Sequence, residues 1–133
     1  VIAFTSDDIN LTQLSIAMRK RGWILQVQPG SIHMGFPQSI HLTISPIHEK
    51  LVEEFLRDLS ESVEEVKRSR VAVSIEKVSS LVKDITVLLE TLNLGKGVSL
   101  SDETVILINE AIRLLEPSLV DDLVLKVVNE VVF

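Results

Sequence analysis

The sequence predicts an α+β fold, in which a small antiparallel sheet of about three strands carries helices on one face and is followed by a helical carboxy-terminal half. Short β-prone runs alternate with helix-periodic runs in the first 70 residues. From residue 71 onward, apolar residues recur only at helical spacing. All three His and three of the four Pro fall in the first part. We therefore divide the chain into an α+β domain over residues 1–70 and a helical extension over residues 71–133.

The first 45 residues predict three strands and one helix. Strands are expected at Val1–Thr5, Trp23–Gln28 and Ser39–Ser45, where β-prone or alternating apolar residues occur. The Ser-Asp-Asp of residues 6–8 offers N-cap side chains for a helix that ends at Gly22. Because the apolar, β-prone run of the first strand already begins at residue 1, we expect the natural chain to continue upstream.

A second helix follows Pro46 and His48 and is expected to cover the sheet. Its predicted apolar stripe comprises Leu51, Val52, Phe55, Leu56, Leu59, Val63 and Val66. The predicted polar face opposite comprises Glu53, Glu54, Asp58, Glu61 and Glu64. Further helices are predicted over Ile75–Leu92, from a cap at Ser101, and from Pro117 through Val131. Their apolar faces require a partner surface, either each other or a larger domain.

Composition excludes several classes of function. A net charge of -6 and a pI near 5.0 argue against nucleic acid as a partner, because phosphate binding requires a basic surface. With no Cys, the chain has no disulfide, thiolate metal site or cysteine nucleophile, and a reducing, cytoplasmic location is expected. The apolar runs are far shorter than the roughly 20 residues of a membrane span, so none is expected.

Motifs for metal and nucleotide chemistry are absent from the sequence. His33, His41 and His48 have neither the spacing nor the companions of a metal-binding signature. The single Gly-x-Gly, at residues 95–97, lacks the third Gly and the preceding strand of a dinucleotide site. No Gly-x-Ser-x-Gly elbow is present, which disfavours a hydrolase. His41 is the residue of most interest, because it lies on the polar face of a predicted strand, just after a Gly/Pro loop at residues 30–38. An exposed strand histidine with no function remains the alternative.

Several segments of the first part resemble one enzyme family. They are Ile2–Phe4, Leu14–Met18, Arg21-Gly22-Trp23, Pro37–Ile44, and His48 followed by Phe55–Val63. Over residues 1 to about 68 the chain resembles the carboxy-terminal domain of the sphingosine-1-phosphate lyases, within the pyridoxal-dependent decarboxylase group of fold-type I enzymes. The Arg-Gly-Trp belongs to the wider group, whereas the Ser-Ile-His strand and the Phe-Leu-x-Asp-x-x-Glu-Ser helix are closer to the lyases.

The resemblance implies that the chain is the small domain of a larger, homodimeric enzyme. Such enzymes hold pyridoxal phosphate on a Lys of a large domain, and the small domain closes over the substrate. Neither the Schiff-base Lys nor the Asp that pairs the pyridine nitrogen has a matching motif here, so no catalytic or cofactor-binding residue is assigned. His33 and His41 are the implied substrate contacts, near the phosphate.

One position separates two chemistries within the resemblance. In the amino-acid decarboxylases of this group, an Arg near the start of the third strand is expected to meet the substrate carboxylate, and His41 occupies that place. A phosphorylated sphingoid base has no carboxylate, which favours a carbon–carbon lyase. An amino-acid decarboxylase whose carboxylate meets another residue is the alternative within enzymes. A free-standing binding or oligomerisation module is the alternative outside them.

Overall fold

The computed structural model describes residues 1–69, 101–122 and 125. Its elements are β1 (Ile2–Phe4), α1 (Leu11–Lys20), β2 (Gln26–Gln28), β3 (Ser39–Leu42), a 3₁₀ helix (Pro46–Leu51), α2 (Val52–Ser69) and α3 (Asp102–Leu114). Residues 117–122 are also helical. This order confirms the predicted α+β class. The helix expected over Ile75–Leu92 and the end of the last predicted helix, beyond residue 125, lie outside the described residues.

Contacts divide the chain into two compact units. One unit holds Val1–Gly30 and Pro37–Ala72, and the other holds Ser31–Phe36 and Val73–Phe133. The sheet, α1 and α2 thus belong to the first unit, while the short loop Ser31–Phe36 belongs with α3 to the second. A segment of the amino-terminal half is therefore built into the carboxy-terminal unit.

The sheet is antiparallel, with β3 in the centre and β1 and β2 at the edges. Ile40 of β3 lies opposite Phe4 on one side and Val27 on the other. Since partners across a ladder share a face, these three side chains form one apolar row, and Ile40 at its centre is fully buried. This row and Leu42 of β3 are the sheet's contribution to the core.

Helix α1 is buried along nearly its whole length, from Leu11 to Met18. Leu11, Leu14 and Met18 enter the core cluster with Ile40, and the buried hydroxyls of Thr12 and Ser15 have hydrogen-bond partners. The N-cap is Asn10, whose side chain accepts from the backbone N–H of Gln13 at 3.0 Å. The N-cap predicted at residues 6–8 is therefore wrong.

Gly22 ends α1 in a left-handed conformation, with φ at 92°. The backbone N–H of Trp23 donates to the carbonyl of Met18 at 3.0 Å, and that of Gly22 donates to the carbonyl of Arg19 at 3.0 Å. This pair of bonds is a Schellman motif, which satisfies the last carbonyls of the helix. It also turns the chain so that Trp23 packs beside the core. The predicted stop at Gly22 is confirmed.

Helix α2 packs on the core through much of the predicted stripe. Val66 is buried in the core cluster, and Phe55, Leu59 and Val63 pack against that cluster. The prediction is wrong at Leu56, which is 56% exposed, and at Asp58, which was expected on the acidic face and is 7% exposed. Asp58 and Ser62 are buried beside the stripe because they meet hydrogen-bond partners on α1 and the turn after it.

In the part of the chain that the structure describes, no helix is long and apolar enough to cross a membrane.

Candidate functional site

The outer face of the sheet carries His41 in the middle of a short polar row. His41 lies opposite Ala3 of β1 and Gln26 of β2, so these three side chains share the face that points away from Ile40. Gln26 is exposed, and His41 is half-buried. The strand alternation predicted for this segment is thus confirmed at His41, and its small neighbour Ala3 is exposed.

The imidazole of His41 has one close polar neighbour within its own strand. Its Nε2 lies 3.4 Å from Oγ of Ser39, two residues along the same face. A serine hydroxyl can both donate and accept, so this contact leaves either tautomer of the ring available. In chemical terms, Ser39, His41 and Gln26 offer a neutral or cationic surface that can donate hydrogen bonds to a phosphate or a hydroxyl group.

His33 lies elsewhere, in the loop Ser31–Phe36 of the second unit. A β-bridge joins Ser31 to Phe36, and Gly35 takes φ of 70° within this tight turn. Both ring nitrogens of His33 meet acceptors at the end of α3: Nε2 lies 3.0 Å from the carbonyl oxygen of Leu114, and Nδ1 lies 3.2 Å from Oε1 of Glu116. The two histidines predicted as substrate contacts thus belong to different units and have different partners.

The loop is tied to α3 by its backbone as well. The N–H of Ile32 donates to the carbonyl of Arg113 at 3.1 Å. Together with His33, this bond satisfies carbonyls that the last turn of α3 would otherwise leave without an intrahelical partner. The sequence predicts the loop, but nothing near it in the chain indicates that its partner lies about 80 residues away.

His48 has a local structural role. The backbone N–H of Ser45 donates to its Nδ1 at 3.0 Å, and the N–H of His48 donates to the carbonyl of Ser45 at 3.0 Å. This reciprocal arrangement caps the start of the 3₁₀ helix. His48 is therefore not grouped with the candidate site.

Asp58 is the charged residue that sequence reasoning missed. Its Oδ2 accepts from the indole N–H of Trp23 at 2.8 Å, and its Oδ1 lies 3.1 Å from Nη2 of Arg57. Trp23 also packs edge-on against Phe55, with ring centroids 5.1 Å apart. The bond from Trp23, aided by Arg57, holds the pKa of Asp58 below its usual value in spite of burial, which acts in the opposite direction. The signal in the sequence that points to such a residue is Trp23, because a tryptophan N–H that is removed from water usually requires a hydrogen-bond acceptor.

A shallow groove of about 640 Å³ lies in the first unit. It is lined by Arg21, Ser60, Glu61, Glu64, Glu65, Arg68 and Ser69. Arg21 donates from Nη1 to Glu65 at 2.8 Å, which together with Glu61 raises the pKa of its guanidinium further. The groove has no lysine to bond the aldehyde of pyridoxal phosphate. Its three carboxylates outnumber its two arginines, and Arg21 is already paired with Glu65, so the lining does not suit the phosphate either.

The described residues also lack a metal centre, since no group of three His, Asp or Glu side chains among them is placed to hold an ion. His41 on the sheet is the first candidate contact for an organic ligand, with His33 as a second, separate one.

Comparison with known proteins gives a consistent answer for about half of the chain. No protein-family model matches, and no solved structure matches. Sphingosine-1-phosphate lyase of Oryza sativa subsp. japonica is 34% identical over 67 residues, and that of Arabidopsis thaliana is 36% identical over 67 residues. Sphingosine-1-phosphate lyase 1 of Rattus norvegicus is 32% identical over 71 residues.

These alignments cover 50–52% of this chain and 11% of each relative, so the chain spans about one tenth of the length of the proteins it matches. The resemblance drawn from the sequence is confirmed, since about half of this chain is similar to sphingosine-1-phosphate lyases.

Proposed function

We propose that this chain is the small carboxy-terminal domain of a pyridoxal-phosphate-dependent carbon–carbon lyase that acts on a phosphorylated sphingoid-type amino alcohol. The observation that carries the proposal is the similarity to sphingosine-1-phosphate lyases from two plants and two rodents, at 32–36% identity. The α+β fold of the first unit supports it, because that fold agrees with the small domain that the resemblance implies.

The cofactor, on this proposal, belongs to a large domain outside this chain. The described residues contribute no lysine to the groove of the first unit, and the sequence has no motif for the Schiff-base Lys. We therefore assign this chain no catalytic residue. Its proposed partners are the large domain of the same enzyme and a second copy in a cytoplasmic homodimer.

His41 is the proposed substrate contact on the sheet. It stands at the centre of the outer row, flanked by the small Ala3 and the flexible amide of Gln26, so a ligand can approach the ring from the Ala3 side. A histidine there suits a phosphate or hydroxyl better than a carboxylate, for which the planar fork of an arginine would be the stronger partner. This charge pattern favours the lyase over an amino-acid decarboxylase.

His33 is the second proposed substrate contact, through a ring that is 35% exposed. Its nitrogens already face Leu114 and Glu116, so a ligand has to exchange with one of these partners. We place the phosphate of the substrate as the group that His33 would meet, because phosphate oxygens accept hydrogen bonds as a carboxylate does.

The reaction of the full-length natural protein that contains this chain tests the proposal. Loaded with pyridoxal phosphate and supplied with a phosphorylated sphingoid base, it should release a long-chain aldehyde and an amino phosphate, which mass spectrometry can detect. Carbon dioxide released from tyrosine, glutamate or aspartate, with no aldehyde from the sphingoid base, would establish the decarboxylase instead. A stable dimer of these 133 residues that leaves both substrates unchanged would favour the binding module.

A further inference from the structure

The end of α3 occupies both hydrogen-bonding positions of the His33 ring. The carbonyl of Leu114 can only accept, so Nε2 donates to it at 3.0 Å. Nδ1 lies 3.2 Å from Oε1 of Glu116, whose ionised carboxylate can only accept. Both ring nitrogens thus face acceptors of the protein itself, and an external ligand finds neither nitrogen available.

The two partners of the His33 ring, Leu114 and Glu116, differ in how readily a ligand can displace them. Leu114 offers a backbone oxygen at the end of α3, where the neighbouring N–H of Ile32 also bonds to the carbonyl of Arg113 at 3.1 Å. Glu116 offers a side chain that is 62% exposed. Its own carbonyl accepts from Leu119 and Val120 at 3.0 and 3.1 Å, so its backbone is fixed by the next helical turn. The Glu116 carboxylate can therefore turn into solvent without moving the chain.

Glu116 and the ligand group that would replace it beside His33 are chemically alike. Glu116 presents an anionic oxygen to Nδ1, and a phosphate monoester would present another. While the carbonyl of Leu114 holds Nε2, the ring keeps its orientation, and only the acceptor at Nδ1 is exchanged. The nearby Arg113 is directed toward Glu110, which it meets through Nε at 3.1 Å and Nη2 at 2.9 Å.

We propose that Glu116 is an internal competitor for the anionic group of the ligand at Nδ1 of His33. This inference rests on the proposed function, because it takes His33 as a contact for the substrate phosphate, and it adds a role for the helical unit. The unit orients the ring through Leu114 and lowers the affinity of the site through Glu116. Because the competing pair is partly exposed to solvent, the expected effect is modest, about two- to fivefold in affinity.

The test is a titration of the 133-residue chain with phosphoethanolamine, which carries the phosphate and amine of the proposed substrate. Isothermal titration calorimetry gives the affinity of every variant, and nitrogen-15 NMR of the His33 ring, in the variants that keep it, reports binding at that residue directly. Glu116→Gln should bind about two- to fivefold more tightly than the unchanged chain. Glu103→Gln, an exposed position in the first turn of α3, removes the same charge away from His33 and should leave the affinity unchanged. His33→Ala should weaken binding about tenfold or more.

The outcomes separate this inference from the proposed function. Equal affinities for Glu116→Gln and the unchanged chain, with weaker binding by His33→Ala, would overturn the competition while leaving His33 as a ligand contact. Equal tightening by Glu116→Gln and Glu103→Gln would show an effect of net charge alone, and would also overturn it. Unchanged binding by His33→Ala would overturn the competition as well. The proposed lyase function would not be affected by that result, because the reaction of the full-length protein tests it separately.

Discussion

Asp58 joins helix α2 to the turn that follows α1. It is 7% exposed, yet it is charged and accepts the indole hydrogen of Trp23 at 2.8 Å. A buried carboxylate is unfavourable unless hydrogen bonds and an opposite charge compensate for lost hydration, and here Trp23 and Arg57 supply both. Trp23 is therefore held against α2 by this carboxylate and by its edge-on contact with Phe55.

The charge of Asp58 predicts how stability changes with pH. Its pKa lies below the ordinary 3.8 in the folded state and returns to the ordinary value on unfolding. The contribution to stability is thus complete above about pH 5 and is lost as the pH falls through the lowered pKa. Asp58→Asn keeps an acceptor for Trp23 but has no proton to gain. We expect it to be less stable than the unchanged chain at pH 7, with the difference shrinking toward pH 3.

Urea unfolding at a series of pH values measures this difference. A stability gap between the unchanged chain and Asp58→Asn that stays constant from pH 7 down to about pH 2 would contradict a lowered pKa at Asp58. Glu53→Asn, on an exposed position of the same helix, is the control, and its difference from the unchanged chain should show little dependence on pH.

At the scale of single residues, sequence patterns located some side chains and missed the partners of others. His41 was placed correctly on the outer face of its strand, because alternation along a strand is a local property. Asp58 was misplaced, since a carboxylate is assigned to solvent unless its partner is known, and that partner lies 35 residues away. The partners of His33 are farther still, and no local pattern encodes them.

Among the secondary-structure elements, α1 ends in a backbone conformation that depends on Gly22. Gly22 has φ of 92°, a region that residues with a Cβ atom adopt at a cost of roughly 1–2 kcal/mol. Gly22→Ala should therefore lower the free energy of unfolding by about that amount, although a Cβ there would meet no atom within 4 Å. Gly22→Asn should cost less, because asparagine tolerates this conformation better. Equal losses for Ala and Asn in chemical denaturation would argue against backbone strain as the cause.

The packing of α1 on α2 depends on a small side chain. Ser62 is fully buried, and its hydroxyl donates to Sδ of Met18 at 3.2 Å. Ser62→Leu would overpack this contact and should destabilise the chain by about 1–3 kcal/mol. Ser60→Leu makes the same change on the exposed side of α2 and should alter stability by less than about 0.5 kcal/mol. Equal effects of the two variants on thermal unfolding would show that Ser62 is not at a tight interface.

Element order was predictable, and element ends were less so. All three strands are shorter than their apolar patterns suggest: β3 was predicted to run to Ser45 but ends at Leu42. The ladder stops there because β1 begins at Ile2, the partner of Leu42, and Ile44 beyond it is 54% exposed. A strand extends only as far as a neighbouring strand pairs with it. The residues of β3 alone therefore do not show where its pairing ends.

For the whole molecule, the division into two compact units changes how the loop Ser31–Phe36 is understood. By sequence it belongs to the α+β domain, yet its contacts are with α3. The two proposed substrate contacts therefore lie in different units, His41 in the first and His33 in the second. The two residues share no hydrogen-bond partner in the described part of the chain, so substituting one leaves the protein contacts of the other in place.

The most direct test of the proposed role of the sheet face is the kinetics of His41 variants in the full-length protein loaded with pyridoxal phosphate. His41→Ala should raise KM for the phosphorylated sphingoid base about tenfold or more, since a hydrogen bond to a charged group is lost. His41→Gln, whose amide can reach toward Ser39 as Nε2 does, should recover part of the loss. His48→Ala serves as the control for removal of a histidine. If His41→Ala leaves both kcat and KM unchanged while the protein stays folded, the outer face of the sheet does not bind the substrate.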